Sequence, residues 1–388
     1  MKRKIKQIFI ILLAVALLLS LCACSPQEED IKVSPQPEPI PAATIELVAV
    51  GDNLIHNTIY KQAAERAGGN GYDFTYAYQH VAPLIEKADL AFINQETPLA
   101  TAIYKPSSYP LFNSPTEVGD AVVDMGFDII SQANNHMFDK GEKGLVATLD
   151  YWHTKDGVKV VGAYRDDSDL ANIRMVEING ISLAFVAFTE MTNGLTLPAG
   201  SKMRYILAED EELLKSQIQA AAGLADVVVV SAHWGNENTH EPTQNQRQLA
   251  QKMAVWGADI ILGHHPHTLQ PIEYIERENA GPALVVYSLG NFISAQHGAN
   301  NMVGGIVRIN IKKDYQSDPQ ISLTKVDFIP TITHYTAGVK NVTIYPLNQY
   351  TTEMAGSHGV RQYASFSYDY IQDVLHNVIT DQFLANDY

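Results

Sequence analysis

Three histidines stand within four residues, His264, His265 and His267, with Pro266 between the last two, directly after the apolar run 260–263. Imidazole is the commonest side-chain metal ligand. The end of a buried strand is where loops can bring such ligands together. In a chain with 13 histidines one such cluster also suits a plain surface loop. Other apolar runs, however, end in similar chemistry.

The run 45–50 leads into Gly51-Asp52, and 89–93 leads into Asn94-Gln95-Glu96-Thr97-Pro98. The run 127–130 leads into Gln132-Ala133-Asn134-Asn135-His136, with Asp139 three residues on. Residues 226–230 lead into Ser231-Ala232-His233-Trp234-Gly235-Asn236-Glu237, and 284–287 into Ser288-Leu289-Gly290-Asn291. Carboxylates, amides and imidazoles at successive strand ends form an inventory of hard-oxygen and nitrogen metal ligands. Without cysteine among them a structural zinc site is disfavoured. Such a set suits a pair of divalent ions, manganese, iron or zinc, which can polarise a phosphoryl or acyl oxygen and acidify a water. Simpler uses exist: Asp52 suits a helix cap near Asn57, and Asn134-Asn135 suits a turn.

The ordered segments Gly51-Asp52, Asn94-x-Glu96-x-Pro98, Asn134-Asn135-His136-x-x-Asp139-x-Gly141, His233-Trp234-Gly235 and Gly263-His264-His265-Pro266-His267 resemble the CapA family of capsule synthesis proteins, associated with poly-γ-glutamate. That family looks like a branch of the calcineurin-like metallophosphoesterases. The resemblance implies a four-layer α/β sandwich, two mixed β-sheets flanked by helices. It implies metal ligation by Asp52, Glu96 (at the bridging position), Asn135, His233 and the 264–267 cluster, with His136 protonating a leaving group. Which of His264 and His265 joins His267 is open. Asn94, Asn134, Asp139, Trp234, Glu237 and Asn291 are expected beside the substrate or behind the ligands. The phosphoesterase Asp-x-His start is incomplete, since residue 54 is Leu, and Glu replaces Asp at the bridge. A catalytic hydrolase, a non-catalytic capsule-assembly factor and an extracellular phosphoesterase therefore all stay open.

The positioning elements read as alternating strands and helices. Helical patterns cover 74–87, 117–125, 143–153, 209–224 and 244–256, each preceding an apolar run. This order implies parallel strands covered by helices. Asn179-Gly180 between 174–178 and 181–188 is a strong hairpin signal. Beyond residue 287, runs 305–311 and 321–329 suggest antiparallel strands, and a helix is expected over 368–383. The expected boundaries are a leader over 1–23, a tether over 24–43, the main domain over 44–335 and an appendage over 336–388 ending in that helix.

Lys2, Arg3, Lys4 and Lys6, then the apolar 8–19 stretch and Leu21-Cys22-Ala23-Cys24, describe an export signal rather than a membrane span. Its ending resembles the bacterial lipobox, which implies cleavage and lipid attachment at Cys24, and placement on the outer face of the cell membrane. Both cysteines lie there, so no disulfide staples the folded part. The Pro-rich 25–43 segment has little apolar surface to bury. Cleavage would leave 23 basic against 43 acidic side chains, a formal charge of −20. That excludes nucleic acid as a partner on electrostatic grounds. An anionic surface polymer such as poly-γ-glutamate would then need local cations; polymer-synthesis proteins are the other expected partners.

Overall fold

Apolar runs rich in Val, Ile and Leu make strands that are buried on both faces, and helices must cover what the strands leave. The computed structural model describes residues 40–278 and 280–386. The expected leader, Cys24 and most of the tether lie outside those residues. Two sheets are built in chain order. The first begins with β1 (Ala43–Asn53), β2 (Leu90–Asn94), β3 (Ile129–Ser131) and β4 (Lys159–Val161). The second contains β5 (Arg174–Ile178), β6 (Ile181–Thr189), β7 (Val227–His233), β8 (Ile260–His264), β9 (Leu269–Ile275) and β10 (Ala283–Leu289). The chain then returns to the first sheet with β11 (Asn291–Ile293), β12 (Val303–Lys313), β13 (Ile321–Thr336) and β14 (Lys340–Pro346).

The first sheet runs β14-β13-β12-β1-β2-β3-β4, with β11 also pairing β1, and the second runs β5-β6-β7-β8-β10-β9. Strands β1 to β4 pair in parallel, as do β6, β7, β8 and β10, while β12 to β14 pair antiparallel. Leu47, Ala49, Phe92 and Ile130 of the first sheet share one core with Leu183, Val229, Leu262 and Val286 of the second. Ser231 Oγ donates to Ser131 Oγ at 3.1 Å, which ties the sheets together where β7 and β3 end. On the other side of the second sheet, Val228, Val230 and Ala232 pack with Leu214 and Ile218 of helix Glu211–Ala222 and Met253 of helix Gln244–Trp256. Ile59, Val118, Val122 and Trp152, from three further helices, join the core of the first sheet. The layers are thus helix, sheet, sheet, helix, the mixed sandwich expected.

Local chemistry explains the boundaries. Helix Gln244–Trp256 starts at a reciprocal Thr243–Gln246 capping box and stops at Gly257, whose φ is 116°, where only glycine is unstrained. Asn179 (φ 53°) and Gly180 (φ 76°) turn the β5–β6 hairpin. The helix expected over 74–87 is instead two short ones, Thr75–Tyr78 and Ala82–Ile85. Pro83 has no N–H to give and its ring crowds the preceding turn. The closing helix stops at Val378, because Ile379 turns extended (φ −104°, ψ 122°). Residues 336–386 are no appendage. They supply β14 to the first sheet, and Val360, Phe366, Leu375 and Phe383 enter its core. Among the described residues no helix is long and apolar enough to cross a membrane.

Candidate metal centre

Strands β1, β2, β3, β7 and β8 all release their chains at one end of the sandwich, and the predicted ligands meet there. Two close approaches make this possible. A Cβ on Gly51 would lie 1.9 Å from Gly290 O, and one on Gly263 would lie 1.9 Å from Tyr287 O. Any side chain there would push the strand carrying Asp52 away from Gly290, or the strand carrying His264 away from Tyr287.

The Asp52 carboxylate is fully engaged. Asn94 Nδ2 donates to Oδ1 at 2.8 Å, while the His265 N–H (3.2 Å) and His267 Nδ1 (3.0 Å) point at Oδ2. Burial pushes its pKa up, but the adjacent His264 and His267 imidazoles outweigh that and hold it well below the usual range. It caps no helix: the helix Asn57–Arg66 has His56 at its N-cap.

Glu96 is the opposite case. It is 0% exposed, and neither carboxylate oxygen has a hydrogen-bond partner. Its neighbours are locked instead: Gln95 Nε2 donates to Thr97 O and Oγ1, Asn53 Nδ2 donates to Gln95 Oε1, and Tyr78 OH donates to Asn53 Oδ1. Glu96 Oε1 lies 3.7 Å from His267 Nε2 and 3.8 Å from His233 Nε2. Burial, then the nearby Asp52 charge, lifts its pKa well above the usual carboxylate range. A buried, unpartnered carboxylate is costly unless a cation or a proton compensates it.

The imidazoles divide in the same way. His233 Nε2 lies 3.1 Å from Asn135 Oδ1, and burial together with His265 holds its pKa well below normal. His265 drops to about 4, through burial and then His267. Burial pulls His267 down too, but Glu96 and Asp52 raise it to about 9. Three groups bring ligand atoms within 4.8 Å of one another and could hold a metal ion: Glu96–His233–His265, Asp52–Glu96–His267 and Glu237–His265–His267. Glu96 is common to the first two, as a bridging carboxylate would be. His265 and His267 each belong to two of these groups. His264 stacks on Phe92 with its Nδ1 3.4 Å from Asp52 Oδ1, and lies outside all three groups.

The supporting residues sort by what they touch. Asn134 makes the turn, its Oδ1 accepting from the His136 N–H at 3.1 Å, and leaves Asn135 to face His233. His136 Nδ1 lies 2.8 Å from Asp139 Oδ2, the oxygen that also accepts the Phe112 N–H at 2.7 Å. The Phe112 ring meets the His136 ring edge-on, with centroids 4.7 Å apart. Asn291 Nδ2 lies 2.8 Å from Gln296 Oε1, and its Oδ1 is buried without a partner. Trp234 corrects the expectation of a cleft residue. Alternation along β7 turns it to the helix-covered side, where its Nε1 donates to Tyr287 O at 3.0 Å and Phe188 packs against it. Phe112 carried no signal beyond an aromatic in a loop, and Gln95 lay unremarked inside the Asn94–Pro98 motif.

Residues 46–296 match the profile of the family described as bacterial capsule synthesis protein PGA_cap. The chain belongs to that family. Among PGA_cap relatives, the PGA biosynthesis protein CapA of Bacillus subtilis (strain 168) is 34% identical over 240 residues, which cover 61% of this chain and 61% of the relative. The capsule biosynthesis protein CapA of Bacillus anthracis is 32% identical over 251 residues, 63% of this chain and 59% of the relative. The PGA_cap chain thus matches about three fifths of the length of these relatives. Among solved structures it is similar to a 5'-nucleotidase precursor from Thermus thermophilus, at 14% identity and a TM-score of 0.46, covering 86% of this chain and 58% of the other.

Proposed function

We propose that this protein is a lipid-anchored, extracytoplasmic CapA-type factor that uses a divalent-cation site to act on an anionic cell-surface polymer, poly-γ-glutamate, during capsule synthesis, export or anchoring. The observation that carries the reading is Glu96, a buried carboxylate without a partner, set among His233, His265 and His267. The donor set fits a pair of manganese, iron or zinc ions, with Asp52, Glu96 and His267 holding one and Glu96, His233 and His265 the other. When bound, such ions supply positive charge that polarises an acyl or phosphoryl oxygen and lowers the pKa of a water.

The protein's own groups then have defined tasks. Asn94 and the His265 N–H fix the Asp52 carboxylate, which orients His267. Asn135 orients His233. Asp139 accepts from His136 Nδ1 and fixes the ring's orientation, so that Nε2 faces the leaving atom it would protonate. Phe112 shields that pair from water.

The test uses the full chain, loaded in turn with Mn2+, Zn2+ and Fe2+, on γ-linked polyglutamate and on a model phosphoester, with products sized by mass spectrometry. Polymer cleavage that falls by about 10²–10⁴-fold in His136→Asn, with cation content unchanged, is the expected result. Turnover of the phosphoester alone would transfer the site to phosphate chemistry. No turnover of either substrate, with capsule lost in the variant strain, would make it a binding site. Cys24→Ser is expected to move the protein from the membrane fraction to the medium.

A further inference from the structure

We infer that Glu237, an exposed residue beyond the end of β7, is a cation ligand. Together with His265 and His267 it forms an outer position for an exchangeable divalent cation at the mouth of the cleft, an alternative to the inner positions that use the same two imidazoles. The inference rests on the cation-site reading above and extends it to a residue outside the buried set. Ligand atoms of these three side chains lie within 4.8 Å of one another. An exposed carboxylate near two histidines would mean little alone. Here His265 is 3% exposed and its Nδ1 has no hydrogen-bond partner, so one member of the trio carries a buried, unsatisfied imidazole nitrogen.

The backbone around Glu237 is tied to the histidine loop. On one side the Gly235 N–H donates to Glu190 Oε2 at 2.6 Å. On the other the Asn238 N–H donates to Pro266 O at 2.8 Å. Asn301 Nδ2 then links Asn238 Oδ1 (2.8 Å) to His267 O (3.1 Å). His265 and His267 are themselves held in left-handed backbone, with φ 94° and 57°. Non-glycine residues keep that conformation only where their surroundings impose it.

The position differs in kind from the inner groups. Asp52, Glu96 and His233 are buried, whereas Glu237 reaches the site from solvent. A cation it shares with His265 and His267 can exchange without opening the core, and it keeps positions free for carboxylates of a γ-linked glutamate chain. In a protein this acidic, such a cation would turn repulsion of a polyanion into attraction at one spot.

The experiment titrates chelator-stripped full-length protein with MnCl2, and separately with ZnCl2, by calorimetry and by Mn2+ electron paramagnetic resonance. Wild type, Glu237→Gln, Glu237→Asp and Glu96→Gln are compared. The expected result is that Glu237→Gln weakens the lower-affinity binding event by about 10–100-fold, leaves the tighter event in place and is partly rescued by Glu237→Asp. Its cation-free melting temperature should match wild type, as suits an exposed side chain. Superimposable wild-type and Glu237→Gln isotherms, with binding lost in Glu96→Gln, would overturn the role of Glu237 alone. Absence of binding in wild type would overturn the cation reading as a whole.

Discussion

The Glu96→Gln substitution separates a metal ligand from a buried structural carboxylate, because the two roles predict different responses to cation. In the cation-free protein, both Glu96 oxygens are buried without partners. A group so placed costs about 1–3 kcal/mol. Glutamine keeps the shape without the buried charge, and its amide oxygen can still accept from the imidazole nitrogens 3.7 and 3.8 Å away. In chelator the variant should therefore melt at or above the wild-type temperature, by up to about 4 °C for a chain of this size. With cation at about 100 times its dissociation constant, wild type gains about 2.7 kcal/mol, or about 4 °C. Loss of a ligand common to two cation groups should weaken binding by at least about 100-fold, the upper end for merely supporting residues. The same cation concentration then adds only about 0.4 kcal/mol to the variant. The assay is differential scanning calorimetry of both proteins in EDTA and in Mn2+, with cation content measured in parallel. The gap between the two melting temperatures should swing towards wild type by about 3 °C when Mn2+ replaces EDTA. Equal cation responses, or none in either protein, would refute the role given to Glu96.

Acid sensitivity should arise at the buried neutral histidines, His233 and His265 in the cleft and, far from it, His358. His358 Nδ1 accepts the Val360 N–H at 2.9 Å, leaving Nε2 to donate to Thr333 O at 2.9 Å, so the neutral ring is built into the fold. Burial lowers its pKa from 6.5 to about 4. The unfolded chain therefore binds more protons between those values. Stability is full above pH 6.5 and falls as pH drops towards 4, by up to about 3 kcal/mol. Denaturant titrations at pH 7.5, 6 and 5 should show this fall, and His358→Gln should make it shallower; an equally steep fall in the variant would assign it to the other histidines. Trp234→Ala should cost about 3–5 kcal/mol and leave cation affinity unchanged, because the indole faces the helices. A loss of cation affinity by the refolded variant would return Trp234 to the cleft.

Much of the sandwich was legible because long Val- and Ile-rich runs alternate with capped helices, as at Thr243 and Gly257. The helix break at Pro83 was legible too, yet the apolar spacing of 74–87 masked it. Strands β9 and β14 were not anticipated, since Leu269–Ile275 and Lys340–Pro346 each contain or end in proline and carry mixed polarity suited to a sheet edge. At the site, residue types revealed Asp52, Glu96, His233 and the histidine triplet. Local pattern could not tell which side of a strand a residue faces once the strand has ended. Trp234 was therefore grouped with its neighbour His233 although it points away. Placing His265 rather than His264 in the ligand groups needed the left-handed turn after β8, and the exposed Glu237 gained meaning only from the loop contacts that hold it.

The return of the chain to its first sheet has a consequence for how the protein is made. Strand β1 is flanked by β2 on one side and by β12 on the other, with Val50 opposite Ile306. Until the last third of the polypeptide has emerged, β1 carries an open edge, and the Asp52 N–H lacks the Gly290 carbonyl that later receives it. Long-range pairing of this kind is slow and leaves incomplete chains prone to stick to one another. The stretch shared with the family, residues 46–296, stops before β12 begins. It includes every residue of the candidate metal centre, but a fragment cut there would lack the strand that completes its own central sheet.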